Sequence, residues 1–394
     1  MQKIAYFLSY AYSIREGLAS GSIYRMREEL EYLSKHFLIE VYSKDSKKFL
    51  KTMPQDMAIN NVEYLGIPFS PVYFNKAGRF FTFLRRIISV TIFIQYYFLL
   101  PIMYRKRLSQ TGSAFICHVS GGFGPVLHNK LSRSRVRIIT KFSWSWDLFL
   151  KKDKRGPSEL AFFRVFEKFV LSNSDIVLPA TKSLYDEAES IVRHRLNAPV
   201  LPNWIDCNKF KPLNVDKQFD VVTVGRLTEQ KNHILLLKAA KLYNGQFRKN
   251  IKVAIIGSGN LRGDILKFAE ENSINLTLLE NIPNDKMAEY YNRAVIFIMS
   301  SRYEGHPKTL LEAMACGLPV IGTAVIGTRD VIVSGENGIL CSEDPQDIKE
   351  KIAIMMNDSG LRDRLASSAR RYILDKCSFE QVLKRMTDYL NVGI

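Results

Sequence analysis

Short apolar runs alternate with stretches of helical periodicity in two successive series, and this rhythm restricts the fold more than any other feature of the chain. Ile4–Leu8, Leu38–Tyr42, Phe115–Val119, Val136–Thr140 and Asp175–Leu178 read as strands of the first series. Asp220–Val224, Val253–Ile256, Leu276–Leu279, Val295–Met299 and Pro319–Gly322 read as strands of the second. Apolar strands separated by helical segments indicate parallel β-α-β units. With 394 residues the chain exceeds one ordinary core. The stretch Leu201-Pro-Asn-Trp-Ile-Asp reads as the linker, so the expected architecture is α/β, two Rossmann-like domains facing a cleft. Residues 1–201 form the first domain and 202–378 the second, with the helical tail 379–394 crossing back onto the first. Ligands of such sheets bind at the carboxyl ends of the strands, which puts the expected site in the cleft.

Lys and Arg number 56 against 39 acidic residues, a formal charge of +17. That balance points to anionic partners: nucleic acid, an acidic membrane surface or phosphate-bearing substrates. Cys117, Cys207, Cys316, Cys341 and Cys377 lie far apart with no C-x-x-C pair, which argues against a disulfide scaffold or a zinc site and for a reducing compartment. The N-terminus reads as a first strand rather than a signal peptide, so a cytoplasmic location is expected.

From Ile87 to Tyr104 no residue is charged, and basic residues flank both ends. Its eighteen residues fall at the lower edge of what can span a bilayer, and Gln95 and Pro101 weaken that reading. A buried helix of the first domain and an interfacial segment are the other readings. Phe80, Phe81 and Phe83 stand among Lys76, Arg79, Arg85 and Arg86, with no acidic residue between Pro71 and Arg107. Apolar bulk in a cationic frame favours an anionic membrane surface as partner of the 76–107 region. The second basic cluster, Lys151, Lys152, Lys154 and Arg155, would reinforce it.

The chemistry concentrates in Ser300-Ser-Arg-Tyr-Glu-Gly-His-Pro-Lys-Thr-Leu-Leu-Glu-Ala-Met-Ala-Cys-Gly-Leu-Pro-Val. A strand ends in a turn, and Pro307 is placed as the first residue of a helix reaching Ala315. The backbone N–H groups of Gly305, His306, Lys308 and Thr309 near that helix start would make an anion site. Glu304 precedes the helix mouth and Glu312 lies along the helix, roughly 12 Å further on. The helix stops at Cys316-Gly317, where glycine supplies the left-handed cap. A second motif, Val224-Gly-Arg-Leu-Thr-Glu-Gln-Lys-Asn, is a strand end, loop and helix start carrying Arg226 and Lys231. Gly257-Ser-Gly-Asn follows another strand but is not the dinucleotide fingerprint, since its third glycine comes one place late.

Two Glu at this spacing mean little alone. Embedded in EGHPKTLLEAMACGLPVI, Glu304-x7-Glu312 resembles the signature of the large retaining GT-B glycosyltransferases called family 4. Gly327-Thr-Arg-Asp and Ser334-Gly-Glu-Asn-Gly-Ile-Leu are similar to that family's next turn and hairpin. GRLTEQKN resembles its G-R-L-x-x-x-K-N loop, which implies that Arg226 and Lys231 bind the donor pyrophosphate. The resemblance further implies that Gly257 and Ile282 lie beside the nucleotide base, and that Gly21 lets donor phosphate and acceptor approach the backbone. It places His118 facing the reacting sugar. The loop Glu304, Gly305, His306, Pro307, Lys308, Thr309 and Leu310, with Glu312, completes the implied donor site. PNWIDCNKF is similar to the family's P-N-G-[IV]-D linker, with Trp204 in place of glycine.

From that resemblance follow transfer with retention, no catalytic metal and no cofactor beyond a nucleotide-sugar donor, with UDP-sugars the commonest. No D-x-D motif occurs, in agreement with this reading. In the implied chemistry Glu304, His118, Arg226 and Lys231 are the catalytic set and Glu312 holds the ribose. The basic, aromatic first half suggests a glycolipid, lipid-linked oligosaccharide or polysaccharide precursor as acceptor, met at the inner face of the cytoplasmic membrane. The rivals are another GT-B enzyme, such as a sugar-nucleotide epimerase, and an inactive membrane-associated module that binds nucleotide sugar. Nucleic acid is not expected, for no recognisable nucleic-acid-binding motif is present.

Overall fold

The computed structural model describes residues 3–7, 21–42, 114–119, 122–131, 136–145 and 157–391. In the first half these form β1 (Lys3–Phe7), α1 (Gly21–Ser34), β2 (Leu38–Tyr42), β3 (Ala114–His118), α2 (Phe123–Leu131), β4 (Arg137–Phe142), α3 (Pro157–Ser172), β5 (Ile176–Pro179) and α4 (Lys182–Val192). The second half carries β6 (Phe219–Val224), α5 (His233–Phe247), β7 (Val253–Ile256), α6 (Arg262–Glu271), β8 (Leu276–Leu279), α7 (Met287–Asn292) and β9 (Ala294–Met299). It continues through α8 (Lys308–Ala315), β10 (Val320–Thr323), β11 (Ile339–Cys341), α9 (Pro345–Asn357) and α10 (Ser359–Tyr372). A π-helical turn, Ile373–Cys377, leads into α11 (Phe379–Asn391). The stretch 76–107 and the cluster at 151–155 lie outside the described residues. Among the described residues no helix is long and apolar enough to cross a membrane.

The strands form a five-stranded sheet, β2-β1-β3-β4-β5, and a six-stranded sheet, β11-β10-β9-β6-β7-β8. Every paired strand runs parallel. Residues of β5, β7 and β10 are buried throughout, as expected where helices cover both faces of a parallel sheet. This is the α/β architecture expected from the alternation of strands and helices. The Ser334–Leu340 segment differs from the hairpin the resemblance implied. Its bridge Ser334–Gly338 leads into β11, which pairs in parallel with β10. The turn at Gly327–Asp330 carries the chain back before that strand begins, so it re-enters the sheet in the same direction.

The chain passes between the two sheets twice at one place. Ile205 N–H donates to Cys377 O at 2.8 Å, and Phe379 N–H donates to Ile205 O at 3.0 Å. Beyond this crossing α11 leaves the second sheet. Its Val382, Leu383, Met386 and Leu390 share a core with Ile4, Leu30, Ile116, Ile139 and Leu178 of the first. The tail is thus a structural part of the first domain. Leu383 is fully buried there, and Leu383→Ala is expected to cost about 2–5 kcal/mol. Denaturation followed by hydrogen exchange checks this: protection should fall in β1, β3 and β4 and stay unchanged in β6, β7 and β9.

Candidate active site in the cleft

Tight backbone contacts shape the second domain's side of the cleft. Gly257, at the end of β7, adopts φ +155°, and a Cβ there would lie 1.9 Å from Gly225 O. Gly225 N–H in turn donates to Ile256 O at 3.0 Å. Only glycine lets the two loops meet this closely. Asn232 then turns the chain through the left-handed region, φ 48°, into α5.

The loop 226–232 is laced to the loop after β9. Arg302 N–H donates to Gln230 O at 2.8 Å, Gln230 Nε2 donates to Tyr303 O at 3.1 Å, and the Ser300 hydroxyl reaches Lys231 O and Asn232 O. These bonds bring Lys231 Nζ to 2.6 Å from Glu304 Oε1, with side-chain exposures of 14% and 7%. Arg226 is not part of that pair: it is exposed and donates to Gln230 Oε1 at 3.2 Å.

Behind Glu304, α8 begins. Pro307 is the N-cap, with ψ 103°, and Lys308 the first helical residue, one place later than the sequence pattern suggested. Pro307 supplies no side-chain cap, and the buried Thr309 hydroxyl has no hydrogen-bond partner among the described residues. The helix mouth therefore presents polar groups that a bound anion could satisfy. Leu310 is fully buried and Gly305 is buried against the first domain, where a Cβ would lie 2.3 Å from Ser143 O. Gly327, φ +82°, packs on the Glu304 and Gly305 carbonyls from the other side.

Glu312 is 4% exposed, and Tyr291 Oη donates to its Oε2 at 2.9 Å. Ile282 is half-buried against the core. His306 does more than line the site. Its Nδ1 accepts from Asn203 N at 3.0 Å and its carbonyl from Asn203 Nδ2 at 3.0 Å. His118 ends β3, beside Lys141 on β4, and Lys308 is near enough to act on its charge. Gly21 is the first residue of α1. Tyr291 carries no local motif that would have marked it in the sequence, while Gln230 and Asn203 lie inside the loop and linker motifs without a role drawn from them.

The imidazoles are held neutral. Burial, then Lys141 and Lys308 against an opposing Glu29, lowers His118 to about 3. Burial and then Lys308 lower His306 to about 3. Burial chiefly lowers His233, whose Nε2 faces Arg226 O, to about 4. The ordinary value is 6.5, so below that pH the unfolded chain binds protons the folded chain refuses, and stability falls as pH drops. Unfolding free energies from urea titrations should fall as pH drops below 6.5, approaching about 1.4 kcal/mol per pH unit per histidine, and His233→Gln should remove one share of that slope.

Two parallel-sheet domains with a cleft at their carboxyl strand ends define the class: a GT-B protein built from two Rossmann-like domains. Residues 205–372 match the family described as Glycosyl transferases group 1, so this part of the chain is a glycosyltransferase domain of that group. It is 29% identical over 254 residues to an uncharacterized glycosyltransferase of Methanocaldococcus jannaschii, covering 64% of this chain and 67% of that one. It is 27% identical over 182 residues to the capsular polysaccharide biosynthesis glycosyltransferase CapM of Staphylococcus aureus, covering 45% and 47%, so it spans about half of that relative. In fold it resembles Anabaena Alr3699/HepE, solved in complex with UDP and glucose, with a TM-score of 0.73, 13% identity and 100% of both chains covered.

Proposed function

We propose that the chain is a retaining, metal-independent glycosyltransferase that moves a sugar from a UDP-sugar to a hydroxyl of a glycolipid, lipid-linked oligosaccharide or polysaccharide precursor. The observation that carries this reading is the Lys231–Glu304 pair, 2.6 Å apart beside the uncapped mouth of α8. Without donor, each member compensates the other's buried charge, a necessity at this exposure. Lys231 has three donors, so a diphosphate at the helix mouth can share its ammonium without stripping Glu304 of it.

Each residue then has a distinct part. Lys231, Arg226 and the first turn of α8, with the Thr309 hydroxyl, neutralise charge gathering on the leaving diphosphate. Glu304 orients the sugar and stabilises positive charge at its anomeric carbon. The bond from that carbon to the phosphate oxygen breaks, its electron pair leaving with the diphosphate. The acceptor oxygen bonds to the same face, and its proton passes to the departing phosphate oxygen. His118, kept neutral by burial, can hydrogen-bond a sugar hydroxyl without adding a cation beside the developing one. Glu312, from within α8, holds the ribose, with Gly257 and Ile282 towards the base and Gly21 opposite.

The UDP class is supported by the fold likeness to the Anabaena protein solved with UDP and glucose, and a polysaccharide precursor by the likeness to CapM. The cationic, aromatic 76–107 region would hold the enzyme at the inner face of the cytoplasmic membrane, where lipid-linked acceptors lie. Replacing Phe80, Phe81 and Phe83 by Asp should abolish flotation with phosphatidylglycerol vesicles; flotation equal to wild type would count against surface binding.

Hydrolysis assays across UDP-, GDP- and ADP-sugars test the donor, and release from UDP-sugars alone is expected. For the sugar accepted, Glu304→Gln should lower kcat by at least ~10²-fold, the scale of one lost transition-state stabiliser. Full turnover in that variant would overturn the role given to Glu304.

A further inference from the structure

We propose that the consecutive linker residues Asn203 and Trp204 are positioning residues that tie the Glu304–Thr309 loop to the first domain's wall of the cleft. The two residues bond in opposite directions. Asn203 faces the second domain, where its backbone N–H donates to His306 Nδ1 and its side-chain amide to His306 O, both at 3.0 Å. Because Nδ1 accepts, the proton of that neutral ring sits on Nε2. The ring is 6% exposed, so the Asn203 bonds are shielded from water.

Trp204 faces the first domain. Its indole N–H donates to Glu29 Oε2 at 3.3 Å, and the same carboxylate takes Lys141 Nζ at 2.7 and 2.8 Å. The Trp204 ring is 5% exposed and meets Phe379 edge-on at 4.8 Å. Lys141 is the register partner of His118 at the cleft end of the first sheet. A continuous line of bonds thus runs from the His306 loop, through two adjacent residues, to the strand end that carries His118.

A ring that merely fills the core would explain the burial of Trp204 but not the ion pair behind it. Burying Glu29 and Lys141, with exposures of 6% and 18%, costs desolvation that their attraction need not recover. What such a pair supplies is a fixed direction for the indole N–H. The next residue, Ile205, is pinned to the returning chain at Cys377 and Phe379. With 203, 204 and 205 all held, the domains can rotate about this crossing while the His306 loop stays near the pivot. The tie stands on these bonds alone. Its effect on turnover rests on the loop's proposed role with the donor.

Hydrogen exchange on the full chain tests it. Trp204→Phe keeps a buried aromatic ring but removes the N–H together with the five-membered ring, so Glu29→Gln, which leaves the indole in place, is read beside it; Trp204 itself makes no hydrogen bond to the loop. The expected result is exchange of the 304–309 amides faster by roughly tenfold, the loss of about one hydrogen bond to a charged group. Exchange in β6, β7 and β9 should not change. Glu29→Gln, which removes the charge with little change of shape, should loosen the same loop and serves if Trp204→Phe folds poorly. Acceleration confined to 21–42, 137–142 and 379–391, or none at all, would overturn the tie. With whichever of UDP-glucose, UDP-N-acetylglucosamine and GDP-mannose the wild type hydrolyses, Trp204→Phe should lower kcat roughly tenfold and leave KM within about twofold. A loosened loop with unchanged kcat would count against the loop's role with the donor and leave the tie standing.

Discussion

The contact between Lys231 and Glu304 is the constraint on which the rest of the cleft depends. A carboxylate 7% exposed and an ammonium 14% exposed are each costly to bury alone. Their pairing lets both sit at a helix mouth, where a phosphate and a sugar ring can be handled side by side. Neither residue reaches the other without help from the backbone. Lys231 is delivered by a loop that turns through Asn232 in the left-handed region, and Glu304 by a loop stitched to it through Gln230, Arg302 and Tyr303.

Close approach of backbone to backbone keeps these loops in place. Gly257 touches Gly225, Gly327 touches the Glu304 and Gly305 carbonyls, and Gly305 touches Ser143 across the cleft. Trp144 and Tyr303 meet beside that last contact, ring centres 5.9 Å apart. Asp330 accepts from the Ser183 N–H and hydroxyl at the start of α4. The domains therefore meet at their loops, and the helix mouth forms part of their boundary. That is a suitable place for chemistry that joins a donor held on one side to an acceptor on the other.

Much of this was legible in the sequence because it is local. β2, β7 and β8 fall at their expected residues and α8 starts one place late, since apolar runs, an N-terminal proline and a C-terminal glycine act within a few positions. Other strands are displaced by a residue or so, as hydrogen bonding rather than composition sets their ends. The Ser334–Leu340 segment was misread as a hairpin, because a turn looks alike whether the next strand returns antiparallel or crosses to lie parallel. The bonds of Trp204 to Glu29, Tyr291 to Glu312 and Asn203 to His306 join residues far apart in the chain, and no spacing rule encodes them. The substitution of tryptophan for glycine in the linker was visible from the start. Its meaning came only with the buried carboxylate it faces.

A crystal structure with UDP bound would test the central assignment most directly. The expected result is a diphosphate at the first turn of α8, with Lys231 Nζ within hydrogen-bond distance of both a phosphate oxygen and Glu304, and the Thr309 hydroxyl newly partnered. UDP bound elsewhere, with Lys231 held by Glu304 alone, would contradict it.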